Sequence, residues 1–515
     1  MPLQRQLGRS TLLFALFLSL LTPHIAHAQV SGGGFDQAVD QFFKHTFGWF
    51  VDLIFYTVPV GSAQFPLIVG WLLLAALIFT IYFGFPQFTG AKLALDLVRG
   101  RYSDPHNKAP GEVSHFQALT TALSGTVGLG NMAGVGAALA IGGPGATFWM
   151  ILCGLLGMAA KFTECTLGVK YRVVLPSGAV SGGPMYYLRD GLAERGLPGL
   201  GKVLAAGFAV MVILGALGGG NMFQGNQANA MIVHTFGLPD GYGWVTGVSL
   251  AALVFGVMMG GMPQIGKVTA TMVPWMAGVY IGMALFVIAI DFDQIPSAMR
   301  AIWDGAFQAE GVAGGLVGAL IQGLKRATFS NEAGVGSSAI AHSAVQTKEP
   351  VTEGLVALLE PFVDTVMICT ATALVITIAG VNAGPFPNPS GLSGIELTSA
   401  AFRSTADWFR YPLALVVVVF AVSTMISWGY YGLKGWTYLF GESRLADASF
   451  KLLFCTFIVV GASISFGGVI DFSDAAIFAM SIFNLIGVYI LAPVVKAEYR
   501  QFLNKIRSGA IKRYR

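Results

Sequence analysis

The chemistry of this sequence is concentrated where side chains are smallest. Residues 124–136 read Ser-Gly-Thr-Val-Gly-Leu-Gly-Asn-Met-Ala-Gly-Val-Gly, and residues 328–336 read Thr-Phe-Ser-Asn-Glu-Ala-Gly-Val-Gly. Five glycines fall within 125–136. Each costs about 1 kcal/mol against alanine in a helix, so the spacing predicts a helix that comes apart. Unwound backbone offers carbonyls that ligate Na⁺ and amides that hold a carboxylate, and half-helix N-termini add positive dipole ends. A zwitterion and a cation can be desolvated together there without fixed side-chain charge.

Polar side chains near these runs carry two readings each. Asn131 either ligates a cation or ties the unwound backbone together, since a buried amide must be satisfied in both cases. Gln224 and Asn226 are amides in an apolar stretch, suited to lining a pocket or to holding helices together. Ser423 and Thr424 have little independent support as cation ligands, because a hydroxyl in an apolar helix commonly bonds its own backbone. The ionisable residues that stand out inside apolar stretches are Lys161, Glu164, Lys325, Arg326, Glu332, Glu360 and Asp364. Burial makes each costly and therefore a functional candidate. Lys161 and Glu164, at i and i+3, are close enough to pair. Arg326, Glu332, Glu360 and Asp364 are expected to form a gating or structural network, with proton transfer through Glu332 or Asp364 as the alternative.

The pattern also excludes chemistry. No G-x-x-x-x-G-K-[ST] run binds nucleotide phosphates, and no H-E-x-x-H or paired histidine spacing holds a metal beyond sodium. The four cysteines, Cys153, Cys165, Cys369 and Cys455, show no paired spacing and read as free thiols. No nucleophile with a matching base stands out, so the chain is not read as an enzyme and needs no cofactor.

The elements that must position these residues are membrane spans. Hydrophobic residues make up 55% of the chain and charged ones 11%, against about 25% charged in a soluble protein. Apolar runs of spanning length are expected at 65–84, 114–142, 145–169, 202–233, 244–261, 268–290, 313–343, 351–380, 411–433, 448–466 and 472–494. Residues 1–28 have the three parts of a signal peptide: Arg5 and Arg9, an apolar stretch from Leu12 to Leu21, and Ala26-His27-Ala28. An uncleaved first helix is the competing reading. Residues 29–64 are expected on the outer surface as one or two interfacial helices. Starting outside, eleven crossings put the basic tail 495–515 inside. The loops then assigned to the cytoplasm hold 20 Lys or Arg and the periplasmic ones four, which agrees with the positive-inside rule. A bacterial inner membrane is the expected location, and the scattered charge gives no sign of a nucleic-acid partner.

The two glycine-rich runs share Asn-x-Ala-Gly-Val-Gly, at 131–136 and at 331–336. They fall in the second and seventh expected spans, which run in opposite directions. Inverted five-helix units, each opened by a broken helix, have this signature. Glycine-mediated helix packing is the plainer alternative.

At this point the motifs resemble known ones. Gly125-Thr-Val-Gly-Leu-Gly-Asn131 resembles the first core helix of transporters with the leucine-transporter fold. Lys325-Arg-Ala-Thr-Phe-Ser-Asn-Glu-Ala-Gly-Val-Gly-Ser337 resembles the signature of the alanine-or-glycine:cation symporter family. Asn221-Met-Phe-Gln-Gly-Asn226, Leu359-Glu-Pro-Phe-Val-Asp-Thr365 and Ser423-Thr-Met-Ile-Ser-Trp-Gly-Tyr-Tyr-Gly432 extend the likeness over about residues 65–500. The resemblance implies an all-α membrane protein of about 11 helices. A peripheral helix at 65–84 would precede repeats at 114–290 and 313–494. It implies sodium-coupled import of a small neutral amino acid such as alanine or glycine. Ser124, Gly125, Val127, Asn131, Ser423 and Thr424 would meet Na⁺. Leu129 and Gly130 would hold the substrate carboxylate, and Thr126, Thr328 and Ser330 the amino group. Phe223, Gln224, Asn226 and Trp428 would wall the pocket. A proton-coupled carrier of another zwitterion, a sensor and a channel are the remaining alternatives.

Overall fold

A computed structural model describes residues 35–60, 63–102, 109–175, 178–239, 241–307, 315–383, 391–464 and 466–514. The expected signal peptide, 1–28, lies outside the described residues. Helix α1 (Phe35–Ile54) leads into an antiparallel hairpin of β1 (Thr57–Val60) and β2 (Ala63–Pro66), then α2 (Leu67–Tyr82). The region expected to lie on the surface is thus one helix and a hairpin.

The first glycine-rich run is broken as its composition demands. Helix α3 (His115–Thr126) starts at a capping box in which Ser114 and Gln117 satisfy each other's backbone N–H. It stops at Val127, a single 3₁₀ turn covers Leu129–Asn131, and α4 (Ala133–Gly142) leaves at a 55° bend. Gly128 is required there by a close approach: a Cβ would lie 2.3 Å from Thr424 Oγ1. Helix α5 (Ala146–Lys170) follows, then α6 (Pro198–Leu217). A π turn at Gly218–Met222 carries α6 into α7 (Phe223–Phe236). The sequence gives no periodic signal for such a turn, which inserts one residue per turn and re-aims the following side chains. Helices α8 (Gly243–Met258) and α9 (Gly261–Ile290) come next.

The second glycine-rich run breaks at a different place in the same motif. Helix α10 (Gly315–Asn331) continues into its Asn, and the chain is irregular until α11 (Ser338–His342). Glu332, Gly334 and Gly336 have φ of +56°, +85° and +92°. Gly134 and Gly136, their counterparts in the first copy, sit inside α4. One six-residue string therefore opens a helix in one copy and unwinds in the other. The remaining elements are α12 (Val351–Ala357), a π turn at Phe362–Cys369, α13 (Thr370–Ala383), α14 (Gly394–Thr405), α15 (Arg410–Phe440), α16 (Arg444–Ala462) and α17 (Phe466–Arg507).

Among the described residues, seven helices are long and apolar enough to cross a membrane, and the bent pair α3–α4 makes eight. Two further apolar helices, α2 and α8, have 16 residues each, about 24 Å at 1.5 Å per residue, short of a full hydrocarbon core of about 30 Å. The protein is mostly helical and multi-pass. Helix α10 packs along α4 and α5, and α15 packs on α3, α6 and α7, which brings both breaks into the centre.

Candidate functional site

The first break is held open from three sides. Asn131 Oδ1 accepts the Gly128 N–H at 2.8 Å, and Gln224 Oε1 accepts the Leu129 N–H at 3.1 Å. Gln224 is itself held, donating to Gly219 O at 2.9 Å. Ser124 donates to Ser423 O at 2.6 Å and Ser427 to Thr121 O at 2.8 Å, so α15 is stitched to α3 along the break. Thr424 Oγ1 is buried there without a hydrogen-bond partner among the described residues. A buried hydroxyl normally finds one, so an unpaired one beside unwound backbone is a place for a ligand.

The two glycine-rich runs meet. A Cβ on Gly130 would lie 3.3 Å from the Phe329 ring and 3.6 Å from Ser330 Cα. Asp364, on the π turn, joins them: Asn131 donates to its Oδ1, while Ser330 and Thr365 each donate to Oδ2 at 2.8 Å. Asn131 Nδ2 also reaches Asp364 O at 3.1 Å. No Lys or Arg pairs with this buried carboxylate among the described residues.

The other residues singled out from the sequence fall into distinct places. Phe223 packs edge-on against Phe329 with ring centroids 5.2 Å apart. Trp428 lies against Gly215 and Gly220 and donates to Glu332 Oε1 at 3.0 Å, which ties α15 to the second break. Thr126 bonds back to Ala122 O at 3.3 Å, and Ser423 to Phe420 O at 2.9 Å. Gly125 faces Tyr431, and Val127 ends α3 with ψ of 84°. Thr328 faces away from Ser330, with its hydroxyl 4.0 Å from Cys153 Sγ. Asn226 turns to the end of α16, donating to Ile464 O at 2.6 Å and Gly461 O at 3.4 Å.

The four expected network residues each have their own ion-pair or hydrogen-bond partners. Arg326 pairs with Asp474, which also takes Lys325 at 2.9 Å. Glu332 accepts from Ser337 and Trp428. Glu360 pairs with His342 at 2.5 Å and with Lys161 at 3.2 Å. Lys161 thus turns to Glu360 rather than only to its helix neighbour, and Glu164 accepts from Asn484 at 2.6 Å. Asp364 stays with Asn131. His115, His342, Glu353, Asp474 and Asn484 were not singled out in the sequence, because their partners lie on other elements. Cys165, His342 and Glu360 place ligand atoms within 4.8 Å of one another, a donor set for a metal ion. Lys161 already neutralises Glu360 there, and both His342 nitrogens are engaged. All four cysteines are free.

The sequence model described as the sodium:alanine symporter family matches residues 52–515. The "Sodium/alanine symporter AgcS" of Methanococcus maripaludis is 39% identical over 434 residues, 84% of this chain and 93% of that one. The "Probable sodium/glutamine symporter GlnT" of Bacillus subtilis is 33% identical, over 85% of this chain and 89% of its own. The "Amino-acid carrier protein AlsT" of the same organism is 32% identical, over 84% and 88%.

Proposed function

Because the chain belongs to the sodium:alanine symporter family, we propose that it imports a small neutral amino acid, alanine or glycine, together with Na⁺ by alternating access. The observation that carries this reading is the buried break of the first glycine-rich run, which meets Phe329 and Ser330 of the second run on one side and a Thr424 hydroxyl with no partner among the described residues on the other. Na⁺ binds beside the end of α3, where Ser124, Gly125, Val127, Ser423 and Thr424 supply oxygens and Asn131 fixes the loop. The substrate carboxylate sits at Leu129 and Gly130, where the Leu129 amide must exchange Gln224 for substrate. Its amino group faces Thr126, Ser330 and their carbonyls, with Thr328 behind. Phe223, Phe329 and Trp428 close the side-chain end, where the paired Phe223 and Phe329 rings favour a small side chain. Asn226 contributes by fixing α7 against α16.

The architecture proposed around this site is a five-plus-five inverted repeat, 114–290 and 313–494, preceded by the peripheral helix at 65–84. The basic tail lies in the cytoplasm and the mature N-terminus outside. Rocking one bundle about the breaks would expose the site to each side in turn. Asp364, a buried carboxylate with no cationic side chain paired to it among the described residues, favours a second reading in which a proton replaces or accompanies Na⁺. Uptake of labelled alanine into proteoliposomes, with Na⁺ outside or replaced by choline at fixed pH, decides between them. Uptake should collapse in choline. Persistence at the sodium rate would overturn sodium coupling.

A further inference from the structure

His342, the last residue of α11, lies between two glutamates. Its Nδ1 contacts Glu353, and its Nε2 lies 2.5 Å from Glu360 Oε1. All three side chains are fully buried. A neutral imidazole offers one donor and one acceptor, and an ionised carboxylate only accepts. With both glutamates ionised, a neutral His342 would set one ring nitrogen against an oxygen with no hydrogen between them. The geometry therefore requires one proton more than a neutral imidazole and two carboxylates supply.

Charge balance asks for the same proton. Lys161, Glu164 and Cys165 face the cluster from α5, His115 from α3, Glu332 from the second break and Tyr431 from α15, with Arg172 beyond the end of α5. Four buried carboxylates, Glu164, Glu332, Glu353 and Glu360, meet one buried ammonium, Lys161. Uncompensated buried charge is too costly to leave standing. The cluster also has an exit. His115 contacts the other oxygen of Glu353 through Nδ1, and its side chain is 9% exposed at the start of α3. At the opposite end Lys161 donates to Ser338, the first residue after the second break.

We propose that His342, Glu353 and Glu360 form a proton-binding site, filled and emptied through His115, that sets how transport responds to pH on that face of the membrane. On release, the Nδ1 proton of His342 passes to Glu353, Glu353 passes one to an Nδ1 that His115 presents without hydrogen, and the Nε2 proton of that imidazole leaves to water. The cluster ends one positive charge poorer, and Glu353 and Glu360 repel across α11. The short half-helix then loses its hold on the second break. The link to transport, and the placing of His115 on the cytoplasmic side, rest on the function proposed above.

The test varies internal pH at constant external pH in vesicles that accumulate alanine on sodium. Wild-type uptake should fall about tenfold per pH unit once the proton begins to leave, the slope of one titrating site. His342→Gln keeps a donor and an acceptor but cannot titrate, so its profile should be flat. A His342→Gln profile that tracks wild type overturns the proposal. If that variant fails to insert, His115→Gln keeps the cluster and blocks its exit. It should then respond more slowly than wild type to a rapid internal pH jump, and an equally fast response overturns the route. Thermal unfolding in detergent needs no transport and separates the two readings. The folded protein binds a proton that the unfolded chain lacks at alkaline pH, so wild type should lose stability as pH rises and His342→Gln should not. Equal loss in both would overturn the site even where uptake itself had failed.

Discussion

Thr424 and Asn131 border the same break but should answer substitution in opposite ways. Thr424 Oγ1 has no hydrogen-bond partner among the described residues, so Thr424→Val removes a buried polar atom without orphaning another, and stability should hold or rise. If the hydroxyl ligates Na⁺, the sodium concentration for half-maximal uptake should rise about tenfold, equivalent to about 1.4 kcal/mol. An unchanged sodium requirement would remove Thr424 from the ion site. Asn131→Ala instead strands the Gly128 N–H and takes a donor from Asp364. It should cost about 2–4 kcal/mol and lower the unfolding midpoint measurably. The sequence located Asn131 because it stands in a run too rich in glycine to stay helical. It could not reveal Asp364 as the partner, 233 positions away, nor that Asn226 would spend its amide on the end of α16.

Among the elements, the two copies of Asn-x-Ala-Gly-Val-Gly show what composition can and cannot dictate. Glycine density predicted that both helices would break, and both do. It did not predict where, because the same six residues are compatible with either conformation and neighbouring packing decides. A paired substitution tests this. Gly134 is helical, and a Cβ there meets only Arg326 Cδ at 3.8 Å. Gly134→Ala should therefore be tolerated and gain up to about 1 kcal/mol of helix propensity. Gly334 sits at φ +85°, with Leu72 2.8 Å from an added Cβ. Gly334→Ala should destabilise by more than about 1 kcal/mol. Thermal unfolding of the two variants side by side gives the answer, and equal effects would mean that the copies share one backbone form. The π turns at Gly218–Met222 and Phe362–Cys369 were illegible because a single inserted residue leaves hydrophobic spacing almost unchanged.

Over the whole molecule, ion pairs between residues far apart in sequence tie helices to one another. Lys325 and Arg326 on α10 both meet Asp474 on α17, and Lys325 also lies 4.3 Å over the Phe55 ring beside α1. Asp474→Asn should leave two cations without their counter-charge and cut uptake at least about tenfold, with protein still in the membrane. Wild-type uptake from that variant would show that the pair is no part of the moving parts. Apolar run length made the multi-pass character plain from composition, but charge pairing across 148 positions left no local trace. The unequal breaks also bear on energetics. Hinges of different shape do not store the same energy when they flex, so in the inverted repeat and alternating access proposed above the two orientations cease to be mirror equivalents. With equal solute and salt on both sides, such a carrier rests mainly facing one compartment and behaves as a rectifier. Exchange half-saturation should then differ between the two faces of the bilayer.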